Sequence, residues 1–264
     1  MKRNSMRNGN TRAIITGGTQ GLGFAIARRL VEEGAKSIVI SGRNAAKGEA
    51  AAEKLRALGT ECIFVRADMG NADDCKRLVA AALDQFGGVN ALVNSAAETG
   101  RGTLLDTSLE TWDKHFNTNA RGPFLTMQGV VRHLVDTGQP GSIVNILSMV
   151  IYVGQSYLTP YSASKAALAN LTRNTANAFA AKRIRCNGIC VGWMDTPQED
   201  EIQRKHHDRP QGWLKEVEAQ QPMGQLVKPD QVAGVAAYML SPESGVMTGA
   251  LVDYDQNVAG RYPE

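Results

Sequence analysis

TGGTQGLG, residues 16–23, follows the apolar run AIIT (13–16) directly and opens a helical pattern over about 22–33. The glycines at 17, 21 and 23 let the backbone turn tightly and approach a phosphate, while a helix N-terminus offers free N–H groups and the positive end of its dipole. A loop built this way between a first strand and a first helix is an anion cradle. Its spacing, G-x-x-x-G-x-G, differs from the G-x-G-x-x-G of the general dinucleotide fingerprint, but its place after a first strand has the same logic. Gly17, Thr19, Gln20, Gly21, Leu22 and Gly23 are therefore the candidate phosphate-facing residues.

Beyond this loop, short apolar runs alternate with longer amphipathic ones. SIVIS (37–41) precedes an alanine-rich helix that ends before Gly59, and CIFVRAD (62–68) leads into a helix ending at Phe86. ALVNSA (91–96) precedes a long helical stretch over 109–135, and SIVNILS (142–148) precedes a helix over 161–181. IRCNGICVG (184–192), a polar segment, a helix over 230–240 and GALVDY (249–254) complete the order. Repeated strand then helix predicts an α/β fold: a single doubly wound parallel sheet with helices on both faces. Ligands in such sheets sit beyond the carboxyl ends of the strands.

The end of the second strand bears on the choice of dinucleotide. Arg43 lies 20 residues beyond Gly23, and no Asp or Glu occupies that strand end. A guanidinium pairs with a ribose 2′-phosphate, where an acid would repel it, so NADP(H) is favoured and NAD(H) is the alternative.

Size and composition narrow the class. With 264 residues the chain suits one domain, expected over 12–264 with a frayed tail over 1–11. Hydrophobic residues at 43% and charged residues at 21% are those of an ordinary globular protein, and a net charge of +3 without a basic run gives nucleic-acid binding no support. No apolar stretch is long enough for a membrane span, and MKRNSMRNGNTR (1–12) lacks the apolar core of a secretory signal. The four cysteines form no Cys-x-x-Cys pair, which fits a reducing, cytoplasmic setting.

PYSASKAAL (160–168) carries the candidate chemistry. Tyr161 and Lys165 are four apart and share a helix face. A free phenol titrates at about pH 10; a neighbouring ammonium is expected to lower that and make Tyr161 a general acid or base.

Together these motifs resemble the short-chain dehydrogenase/reductase family over residues 12–254. TGGTQGLG matches its cofactor loop TGxxxGxG; Asp68, with Met69 beside it, resembles its adenine-contacting acid; and NSAA (94–97), with Asn94 and Ala96, resembles its NNAG. Asn119, Ser148, Tyr161 and Lys165 match its catalytic residues, Ser148 standing 13 before Tyr161. Val191 and Gly192 stand where the family carries Pro-Gly, and Thr196 resembles the threonine at the nicotinamide carboxamide. The resemblance implies a Rossmann-type fold and exchange of hydride between a nicotinamide and a secondary alcohol or ketone. Tyr161 would move the proton, Ser148 would orient the substrate oxygen, Lys165 would bind the nicotinamide ribose, and Asn119 would hold a relay water. It also implies a homotetramer or homodimer packed through the stretches 109–135 and 161–181.

Substrate contacts are expected from Ser148, Met149, Val150, Tyr152, Trp193 and a polar lid over 193–225. Such a lid points to a hydroxylated small molecule such as a sugar or polyol, although Trp193, Trp213 and Met223 would serve an apolar one. His206 and His207 read as part of the solvated lid rather than a metal site, since nothing is spaced to complete one. Two other functions fit the sequence: an NAD(H)-preferring polyol or sugar dehydrogenase, and a non-catalytic dinucleotide-binding regulator.

Overall fold

The computed structural model describes residues 7–260, apart from the side chain of His206. Seven parallel strands run β1 (Arg12–Thr16), β2 (Ser37–Gly42), β3 (Glu61–Arg66), β4 (Ala91–Asn94), β5 (Gly141–Ser148), β6 (Ile184–Val191) and β7 (Leu251–Tyr254). Their order in the sheet is β3-β2-β1-β4-β5-β6-β7. The direction of winding reverses between β1 and β4, which pair from Ala13 with Ala91 to Thr16 with Asn94. A crevice must open there, at the carboxyl ends of both strands.

The near-continuous apolar runs of the strands follow from burial on both faces. Ala13, Ile15, Ile38 and Ile40 pack into one layer, with α1 (Gly21–Glu32), α2 (Ala45–Arg56) and α9 (Pro229–Leu240). Ile14 and Val39, pointing the other way, meet α3 (Ala72–Phe86), α5 (Gly122–Thr137) and α6 (Thr159–Phe179). Full burial of each such Ile or Val contributes about 1.5–3 kcal/mol, so one-residue slips of register are strongly disfavoured.

Three expectations change. The helical stretch 109–135 is not continuous: α4 (Leu109–Phe116) and α5 are joined by a π-helical turn, Asn117–Arg121, closed by Gly122 N–H donating to the Asn117 carbonyl. The polar segment after β6 holds two helices, α7 (Pro197–His207) and α8 (Trp213–Ala219). Thr196 caps α7 by accepting from Glu199 N–H at 3.1 Å, and Pro197 occupies the first helical position, where its missing N–H costs nothing.

The third change concerns the tail. Residues 1–6 of the stretch expected to fray lie outside the described residues, but from Arg7 onward the chain is tied down. Asn8 is buried and donates to Glu33 Oε2 at 2.7 Å and to the Ala237 carbonyl at 3.2 Å, while Arg7 Nη2 donates to Glu33 Oε1 at 2.6 Å. The carboxylate of Glu33 at the end of α1 thus collects donors that a polar segment would otherwise leave in water.

Candidate active site

A cleft of ≈ 1190 Å³ opens over the switch point. One wall is the glycine loop. Gly17 has φ +67°, and a Cβ there would meet Ala96 Cα at 2.9 Å; at Gly23 it would meet the Gly17 carbonyl oxygen at 2.3 Å. The loop is therefore folded tightly on itself and on the end of β4, as only glycine allows. Gln20, at the head of α1, offers no side-chain cap, and the first turn carries no acid. Its N–H groups and positive dipole end face the cleft that Gly21, Leu22 and Gly23 line, so the donor set fits an anionic phosphate.

Thr19, Gln20, Arg43, Asp68, Met69, Ala96, Val191 and Thr196 line the same cleft, as do Ser148, Met149, Trp193, Tyr161 and Lys165. The structure thus gathers most of the sequence-predicted site at one mouth. Three residues, Asn94, Tyr152 and Asn119, are not on that wall. Asn94 is buried off the wall, donating to Asn145 Oδ1 at 2.8 Å and accepting from Thr126 Oγ1 at 2.8 Å. It ties β4 to β5 and α5 rather than facing the cleft. Tyr152 is 46% exposed and is not on the cleft wall; its hydroxyl accepts a long contact from Cys190 Sγ at 3.8 Å. Burial and Cys190 push its pKa up to about 12, which keeps it neutral.

Asn119 lies beneath the site, wholly buried in the π-helical turn. Its Nδ2 donates to the Glu98 carbonyl and to Ser164 Oγ, both at 2.9 Å, and its Oδ1 accepts from Glu98 N–H at 2.8 Å. Ser164 Oγ in turn donates to the Tyr161 carbonyl at 2.8 Å. The turn therefore fixes both the loop after β4 and the first turn of α6. π-turns within helices recur at functional sites for this kind of reason.

Lys165 is 2% exposed and donates to the Ile146 carbonyl at 2.7 Å. Burial lowers its pKa from 10.5 to about 8. Burial raises the Tyr161 phenol above its ordinary value; the hydrogen bond with Ser148 and the charge of Arg101 pull it down, and Glu199 pushes it up. The expected lowering of Tyr161 by Lys165 is thus not found in this geometry. The ammonium gives a hydrogen bond to the Ile146 carbonyl of β5, and burial, not Lys165, dominates the Tyr161 shift.

The supporting residues Ser164, Asn145, Thr126 and Thr16 went unassigned in the sequence. Thr16 Oγ1 accepts from Ser95 N–H at 3.0 Å and Ala96 N–H at 3.1 Å, tying the glycine loop to the end of β4. Asn145 had a readable signal, a lone amide inside the apolar run SIVNILS.

Over the open side, Trp193 stacks on Trp213 at 6.0 Å, and their indole N–H groups donate to Glu199 and Asp200. Gln198 Nε2 donates to Thr99 Oγ1 at 3.0 Å, joining α7 to the loop after β4. His207 meets the Tyr157 ring edge-on at 6.0 Å, and the side chain of His206 lies outside the described residues. Among the described residues no group of three or more His, Cys, Asp or Glu is arranged for a metal, and no helix is long and apolar enough to cross a membrane.

A family model described as enoyl-(acyl carrier protein) reductase matches residues 17–256. The chain is 34% identical to 2,5-dichloro-2,5-cyclohexadiene-1,4-diol dehydrogenase LinX of Sphingobium indicum, over 92% of this chain and 94% of that one. The chain belongs to the short-chain dehydrogenase/reductase family. It is likewise 34% identical to the NADP-dependent (R)-specific alcohol dehydrogenase of Lentilactobacillus kefiri, over 90% and 92% of the two chains. A crystal structure of an actinorhodin polyketide ketoreductase variant with NADPH superposes with a TM-score of 0.89 at 28% identity, covering 97% of this chain and all of that one. As a short-chain dehydrogenase/reductase, the protein is an oxidoreductase acting on CH–OH groups with NAD(P).

Proposed function

We propose that the protein is an NADP(H)-dependent oxidoreductase that interconverts a secondary alcohol and its ketone. The observation that carries this reading is the meeting of Ser148, Tyr161 and Lys165 with the glycine cradle on one cleft. When bound, the nicotinamide supplies or accepts the hydride; the rest is the protein's work. Tyr161 gives its proton to the carbonyl oxygen during reduction and takes it back during oxidation. Ser148 donates a hydrogen bond to that oxygen as its negative charge grows, a contact worth more in the transition state than before it. Lys165, titrating at about 8, returns the proton to Tyr161 near neutral pH and holds the ribose hydroxyls. Asn119 positions the water that feeds Lys165.

Arg43 supports NADP(H): it lines the cleft at the end of β2, with the Arg66 guanidinium alongside, donating to the Arg43 carbonyl at 3.2 Å. The NADP-dependence in the name of the Lentilactobacillus relative, and the NADPH of the ketoreductase structure, agree with it. The alternative reading is an NAD(H)-preferring polyol or sugar dehydrogenase; the 33% identity to the L-rhamnose 1-dehydrogenase (NAD(P)(+)) of Azotobacter vinelandii agrees with a sugar substrate, its name covering both nucleotides. A small hydroxylated substrate fits a wall that includes Thr99, Gln155, Gln198 and Gln203. The segment 193–225 is read as the lid. Four buried free thiols suit a reducing, cytoplasmic compartment. Exposed Leu109 and Phe124 on α4 and α5 support assembly as a homotetramer or homodimer, which light scattering tests directly.

The decisive experiment follows reduced nicotinamide absorbance across sugars, polyols, hydroxy acids and ketones, with both cofactors, for wild type and Tyr161→Phe. Loss of general acid–base catalysis is expected to lower kcat by about 10²–10⁴-fold while cofactor binding persists. Undiminished turnover by the variant would sink the mechanism.

A further inference from the structure

Resting on the alcohol–ketone reading above, one cation on the cleft wall narrows the substrate class. Arg101 lines that cleft with Ser148 and Tyr161. It is held there by a strand-like bridge in which Gly102 N–H donates to the Tyr157 carbonyl and Thr159 N–H to the Gly102 carbonyl, both at 3.0 Å. Its guanidinium lies 5.7 Å from the centre of the Tyr157 ring, and Nη1 donates to the Thr99 carbonyl at 3.0 Å. Nε is sealed from water without an acceptor. Among the described residues Arg101 makes no ion pair, whereas Glu98 pairs with Lys114 at 3.0 Å and Glu199 accepts from Trp193 and Gln203 at 2.8 and 2.7 Å. A cation held this way, close enough for its charge to bear on the Tyr161 phenol, lacks only its anion.

We infer that the substrate is a hydroxy or oxo acid whose carboxylate is held by Arg101 while its carbinol or carbonyl meets Ser148 and Tyr161. One unpaired guanidinium beside Ser148 and Tyr161 matches one monoanion. The carboxylates of Glu98, Glu199 and Asp208 on the same wall disfavour a phosphate dianion, and a guanidinium fork suits a planar carboxylate.

The test titrates the protein with NADP present, by tryptophan fluorescence, against acetoacetate, levulinate, their methyl esters and dihydroxyacetone phosphate. Wild type is expected to bind the acids about 10- to 100-fold more tightly than the esters, the range for a hydrogen bond to a charged group. Arg101→Gln should collapse that ratio and Arg101→Lys should restore part of it. Equal binding of acid and ester, no binding of either acid, a ratio unmoved in Arg101→Gln, or preference for the phosphate would each overturn the assignment. Tyr161→Phe run in parallel separates the two ideas: full turnover with the acid preference intact removes the proposed mechanism and leaves the role of Arg101 standing.

Discussion

The ammonium of Lys165 lies 5.8 Å from the centre of the Tyr161 ring and gives its hydrogen bond to the Ile146 carbonyl instead. Helix spacing brings the two side chains to one face, but the strand beneath decides where the charge goes. A lysine buried against one carbonyl is a costly group to keep protonated.

Lys165→Met is expected to abolish turnover and yet stabilise the protein at pH 7. The folded-state pKa of about 8 lies below the ordinary 10.5, so below about 8 the folded protein carries the full cost of a buried charge. Between about 8 and 10.5 the unfolded chain binds the extra proton and wild-type stability rises with pH. Melting curves should show the variant ahead by several degrees at pH 7, on the order of 3 kcal/mol, with the gap closing towards pH 10. A variant that melts lower at pH 7 would contradict this.

Arg43→Ser should weaken NADPH binding by about 10- to 100-fold, the loss of a charge-assisted hydrogen bond, and change NADH binding little. Titration of nicotinamide fluorescence reads both. Equal losses for the two cofactors would mean that Arg43 does not meet the 2′-phosphate.

Asn145→Leu removes the acceptor for Asn94 Nδ2 and the donor to Thr172 Oγ1, all three residues being buried. An orphaned buried polar group costs about 1–3 kcal/mol, so thermal unfolding should shift down by several degrees. Pairing it with Asn94→Leu should cost less than the two single changes summed, because neither amide then seeks the other. Strict additivity would contradict a coupled pair.

The sheet was legible because parallel strands buried on both faces read as apolar runs, and the glycine loop because close backbone approach admits so few residues. Helix α7 was readable too: Thr196-Pro197-Gln198-Glu199 has a cap, a proline at the first turn and an acid at the third position, though Thr196 drew notice only as a cofactor contact. The misplacements share a cause. Asn94 sits in a motif position and Tyr152 in the stretch expected to line the pocket, but their side chains meet partners remote in sequence, Asn145 and Cys190. The fate of the Lys165 charge was hidden likewise, since no spacing within PYSASKAAL announces the carbonyl of Ile146.

The π-helical turn that holds Asn119 makes residue number itself part of the site. An ordinary helix advances about 100° per residue, so a helix with one residue fewer between Phe116 and Gly122 would run straight on and swing Asn119 away from Glu98 and Ser164. Side-chain replacement, however exhaustive, preserves that count. A survey by substitution alone would therefore overlook that the length of the turn aims the amide of Asn119.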